Sequence, residues 1–136
     1  MKQELFNIGD EFKVTDEMED GVKITLNKDA YIVVRYARSK AYLKGIVKIN
    51  EDLGDDYDPK ELIAKSIAEY GIVDIKNVTL PDGKKIENTT ESKTKALLWT
   101  GKNHTEPPFA LFVLRLMQDL GNFPGAGQSL GKIGRA

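Results

Sequence analysis

The chain offers few side chains with the types and spacing that chemistry requires. Its only histidine, His104, lies in Lys102-Asn103-His104-Thr105, and there is no cysteine. A tetrahedral metal site has no second nitrogen or sulfur ligand to recruit, and a nucleophilic triad has one imidazole to draw on and no serine in a nucleophile-elbow setting. The acidic stretch from Glu51 to Asp58 has the wrong frame for a calcium loop, which needs oxygen ligands at alternate positions, a glycine at the sixth and a glutamate at the twelfth. Gly125-Ala126-Gly127-Gln128-Ser129-Leu130-Gly131-Lys132-Ile133 fails as a phosphate loop. Ala126 stands where the first glycine belongs, and Ile133 where a serine or threonine would hold magnesium. Lys40, Lys44 and Lys48 fall at i, i+4 and i+8, near Arg35 and Arg38. A phosphate-tracking surface has this form, and so does a solvated helix face offset by the acids at 51–58. The expectation is a protein with no catalytic site, cofactor or metal.

Elements that can position a binding surface are clearer. Val22 to Leu26 alternates apolar and polar residues, Asn27-Lys28-Asp29-Ala30 supplies a turn, and Tyr31 to Tyr36 is aromatic and β-branched, which predicts a hairpin. Ser39 suits the cap of a helix over 39–50, with Tyr42, Leu43, Ile46, Val47 and Ile49 at helical spacing and Gly45 weakening it modestly. Asp58-Pro59-Lys60-Glu61 is a strong helix start, and that helix should run to about Tyr70 and end at Gly71. A short strand is expected within 72–80, then a turn at Pro81-Asp82-Gly83-Lys84. Two more helices should follow, one from about Thr90 to Gly101 and one capped by Thr105 and running from Phe109 to Leu120. The fold class expected is therefore α+β, mainly helical: an N-terminal β-hairpin or small antiparallel sheet followed by about four α-helices. Residues 1–21 are expected to be a flexible arm or edge strand, 22–123 a single domain, and 124–136 a flexible Gly-rich tail.

The last helix is the most informative element. In Phe109-Ala110-Leu111-Phe112-Val113-Leu114-Arg115-Leu116-Met117 eight of nine residues are apolar, more than one core-facing stripe requires. Such a helix is central, docked on a partner or a second copy, or both.

The whole chain sets the frame. It has 136 residues, 40% hydrophobic and 30% charged, with a formal net charge of -1. That balance suits an ordinary folded domain and offers no global field for nucleic acid or anionic lipid. No run approaches the roughly 18 apolar residues that span a bilayer, and the N-terminus lacks the apolar core of a signal peptide, so no membrane association is expected. The Asn-x-Thr triplets at Asn77, Asn88 and Asn103 then read as polar loop sequence.

In order, these elements resemble the tail assembly chaperones of long-tailed bacteriophages (siphoviruses), over about residues 22–123. The resemblance rests on the basic strand-to-helix junction Val33-Val34-Arg35-Tyr36-Ala37-Arg38 and on Val73, Asp74 and Val78. It continues with the turn Asp82-Gly83-Lys84, the paired Leu97-Leu98, and a final helix with Phe109 and Phe112 closed by Asp119 and Phe123. Members often carry tryptophan after the aspartate, where this chain has Ile75. The resemblance implies a non-catalytic protein of the bacterial host cytoplasm, not expected in the mature virion. It would coat the tape measure protein while the tail tube assembles. It also implies that this is the short product beside a longer, frameshifted form that engages the tail tube protein. Gly131-Lys132 is compatible with a slippery run of G then A. Phe109, Leu111, Phe112, Leu114 and Met117 are the expected protein-binding residues, a Met- and Leu-rich face being adaptable to many client segments. A homo-oligomer is compatible with this. A head-to-tail connector or tail-terminator subunit, and a small nucleic-acid-binding regulator using the lysine stripe, are the competing readings.

Overall fold

A computed structural model describes Leu5 and residues 14–102 and 105–123. The expected Gly-rich tail, His104 and most of residues 1–13 lie outside the described residues.

The chain forms an α+β fold. Its elements are α1 (Asp16–Asp20), β1 (Val22–Thr25), β2 (Tyr31–Val34), α2 (Lys40–Leu53), α3 (Pro59–Ser66), a π turn (Ile67–Gly71), β3 (Ile72–Lys76), α4 (Thr90–Leu98), α5 (Pro108–Gln118) and a 3-10 turn (Leu120–Asn122). The three strands make one antiparallel sheet in the order β1-β2-β3. The expected hairpin is present. Asn27 Oδ1 accepts from the amides of Asp29 and Ala30 at 3.0 and 2.8 Å, so a short polar side chain closes the turn that its sequence announces. Alternation places Ile32 and Val34 against the helices, and a register shift in the β2–β3 pairing brings both Ile72 and Ile75 to the same face opposite them. Lys23, Thr25, Tyr31 and Val33 take the opposite face, where the Lys23 ammonium lies 4.4 Å from the Tyr31 ring centroid. β3 is shorter than the 72–80 stretch allowed, because Asn77 takes φ +58° and turns the chain.

Part of the expected arm is helical. Thr15 caps α1, accepting from the Met18 amide at 3.3 Å, and the acidic run supplies Asp16 and Glu17 to the first turn, where they suit the helix dipole. Met18 is buried, which fastens α1 to the core.

α2 starts where Ser39 predicts, with Ser39 Oγ accepting from the Tyr42 amide at 3.2 Å. A second cap comes from far away: the Glu19 carboxylate accepts from the amides of Lys40 and Ala41 at 2.6 and 3.0 Å. The buried face is a subset of the positions that apolar spacing marked, with Ile46 half-buried beside it. Tyr42, Gly45 and Ile49 are buried, while Leu43 and Val47 are exposed. The physical reason is Gly45, whose missing side chain is the space filled by the Tyr70 ring.

α3 is capped by Asp58, which accepts from the Lys60 amide at 3.0 Å. It was expected to run as one helix to about Tyr70, but the α-helical part stops at Ser66 and the next five residues form the π turn. Arg35 occupies the carbonyls this turn presents. Its amide donates to Gly71 O at 2.9 Å, its Nη1 to Tyr70 O at 2.9 Å and its Nε to Glu19 O at 2.7 Å.

α4 is capped by Thr89, and Lys93 from it reaches the start of β3. α5 is not capped by Thr105, contrary to the sequence reading. Pro107 is the N-cap residue, with no side-chain bond, and the Thr105 carbonyl instead accepts from Lys60 Nζ at 3.3 Å. The Asp119 amide ends α5 by donating to Arg115 O, its carboxylate caps the 3-10 turn by accepting from the Gly121 amide at 2.9 Å, and that turn seats Phe123 in the core, edge-on to Tyr36 with ring centroids 5.4 Å apart. One apolar cluster draws on the sheet, the π turn, α1 to α5 and Phe123.

Burial of Tyr42 has a consequence that titration can read. Desolvation pushes its phenol up to about 12 from 10.0. The folded chain therefore holds this proton between pH 10 and 12 while the unfolded chain releases it, and stability falls across that window. Tyr42→Phe should remove about 2–3 kcal/mol of alkaline destabilisation. Urea unfolding at pH 9 and pH 11.5 checks this: the wild type should lose more stability than the variant over that interval.

Candidate protein-binding surface

α5 is divided along its length into two unlike halves. Ala110, Val113 and Met117 repeat at core spacing and are buried. Phe109, Leu114 and Leu116 flank them, half-buried against the cluster. Leu111 is 50% exposed and Phe112 43% exposed, and Arg115 projects between them one turn on.

A cleft of about 70 Å³ runs between α3 and α5, with Ile63 on one wall and Leu111 and Leu114 on the other, over a floor that includes Ala110 and Leu97. Lys60 and Glu106 stand at its rim. That volume is far below the ~300–1,000 Å³ of a small-molecule pocket. Its apolar lining suits one or two side chains of a docked segment, with a cation and a carboxylate at the edge to fix polar groups beside it.

The five expected binding residues are thus separated by the fold. Leu111 and Leu114 share the cleft, Phe112 stands beyond Arg115 on the outer face, and Phe109 is half-buried. Met117 does not belong to the surface. Its exposure is 0%, and its thioether fills the space over Gly71, where a β-carbon would come within 2.8 Å of Met117 Cε. Ile63, 44% exposed, was not singled out from the sequence. The available signal was the adjacent Leu62-Ile63 pair on an eight-residue helix, of which one core-facing stripe takes only one.

The basic residues divide in the same way. Arg35, grouped by sequence with the lysine stripe, is spent on backbone carbonyls. Lys40, Lys44 and Lys48 are exposed, and the ion pairs found among the described residues are Glu61–Lys65 and Glu91–Lys95. Lys93 is buried. Its ammonium donates to Ile72 O at 3.0 Å and Asn88 Oδ1 at 3.1 Å, and desolvation lowers its pKa, against an opposing pull from Asp74. This lysine ties α4 to β3.

Neither a protein-family model, nor a curated protein, nor a solved structure matches the chain. What the surface binds must be argued from its own chemistry. Among the described residues no group of three or more His, Asp and Glu is placed to hold a metal ion, and no helix is long and apolar enough to cross a membrane.

Proposed function

We propose that this protein is a non-catalytic tail assembly chaperone of a long-tailed phage, which binds the tape measure protein in the host cytoplasm and leaves before the virion is complete. The observation that carries the reading is the outward half of α5. Leu111 and Phe112 stand exposed on a helix whose other half is locked into the core, with the Ile63–Leu114 cleft beside them. A pre-formed apolar ridge and slot bind a helical client without ordering their own backbone, which keeps the entropy cost of association low.

The test is co-expression with the long helical protein encoded downstream in the same genome. Co-elution, together with a soluble client that precipitates when expressed alone, is the expected result. Absence of co-elution, or recovery of this chain as a stoichiometric component of purified particles, would overturn the proposal. The second outcome would assign it to a connector or terminator. A longer frameshifted form, where made, should carry the same client-binding surface and add contact with the tail tube protein.

A further inference from the structure

The outer face of α2 carries a second pattern, independent of the client-binding surface. Leu43 is 48% and Val47 58% exposed, one turn apart on the same side of the helix. Around them the charges are segregated along the chain: Arg38, Lys40, Lys44 and Lys48 come first, Glu51 and Asp52 lie in the last turn, and Asp55 and Asp56 just beyond, all exposed. This order opposes the helix's own dipole, which favours acids near the N-terminus and bases near the C-terminus. The first turn of α2 holds no acidic residue and the last turn no basic one. Glu19 supplies carboxylate to the first amides, yet no ion pair among the described residues neutralises either charged end.

We infer that α2 pairs with α2 of a second copy of this chain, antiparallel about a two-fold axis level with residues 45 and 46. That register sets Leu43 against Val47 of the second copy and Lys40 against its Glu51, and the same contacts recur by symmetry. A parallel pair would place lysine on lysine and acid on acid. The arrangement gives each end of the helix the opposite charge that its own chain withholds, while the two apolar side chains leave water. One helix from each copy makes a small interface, so the dimer is weak, reversible and salt-sensitive.

Sedimentation velocity of the full chain over a concentration series at low and high salt tests this. A reversible dimer is expected, loosened at least tenfold by high salt. The variants Lys40→Glu/Lys44→Glu and Glu51→Lys/Asp52→Lys should each be monomeric over the same range and form a heterodimer when mixed. The Glu51→Lys/Asp52→Lys variant should melt close to the wild-type monomer, because lysines in the last turn suit the helix dipole, so loss of pairing is separable from loss of folding. The chain has no cysteine of its own. Leu43→Cys and Val47→Cys chains should therefore cross-link to each other faster than either does to itself. A wild type that stays monomeric at every concentration overturns the pairing, as does a dimer that survives both charge reversals. A monomer that retains DNA through Lys40, Lys44 and Lys48 also overturns it, by assigning the face to nucleic acid.

Discussion

Gly45→Ala should destabilise the protein by about 1–2 kcal/mol. Helix propensity alone points the other way, since alanine is favoured over glycine by about 1 kcal/mol in a helix interior. The outcome is decided across the α2 interface. A β-carbon at Gly45 would overlap the Tyr70 ring, a flat and rigid group seated on the π turn. The ring has little room to withdraw, because the Tyr70 carbonyl is held by Arg35 and the turn continues into β3. The helices must separate, and overpacking of this kind costs about 1–3 kcal/mol or more, which outweighs the propensity gain. A double-mutant cycle isolates the cause. Tyr70→Ala is destabilising by itself, but in that background Gly45→Ala should be neutral or stabilising by up to about 1 kcal/mol. Urea denaturation of the four proteins measures this, and a stabilised single Gly45→Ala variant would show that the close approach does not govern the packing of α2.

The second large effect concerns binding. Leu111→Ser/Phe112→Ser should weaken client capture by roughly 100-fold, taking two exposed apolar anchors at a little over 1 kcal/mol each. The same change should cost less than about 2 kcal/mol of stability, because both side chains already face water over about half their area. Leu114 is a poorer choice for this test, since it lines the cleft and also packs on the core. Met117→Ser serves as the contrast: a large buried side chain is lost and a hydroxyl is left among apolar neighbours, so several kcal/mol of stability should go. Pull-down by tagged client, read beside urea unfolding of each variant, separates the two classes. If the Leu111/Phe112 pair unfolds the protein, or binds client as well as wild type does, the outward half of α5 is not the binding surface.

How much of this was legible in the sequence depends on the range of the interaction concerned. The caps at Ser39, Asp58 and Thr89 act within two or three residues of themselves. So does the Asn27 turn, and so do Asp82 and the positive φ of Gly83. Each is a contest between a side chain and its nearest amides, which residue type and spacing decide. The α+β class, the hairpin and the order of the helices followed from such signals together with apolar periodicity. The excess of apolar residues on α5 was also visible, and it pointed to the element that carries the candidate site.

The sequence by itself determined where α2 and α3 start, that the first two strands form a hairpin, and that α5 has more apolar surface than one core face can absorb. Only the tertiary structure decided how that surface is divided. Met117 went inward because Gly71 leaves space above it, and Leu111 and Phe112 stayed outside because, among the described residues, no other element lies over them. Tyr70 selected the Gly45 face of α2 over the Leu43–Val47 face, and Glu19 capped a helix that begins 21 residues later. These choices turn on the shape of one element against another distant in sequence. Periodicity reports that a face is apolar, but only packing reports what covers it.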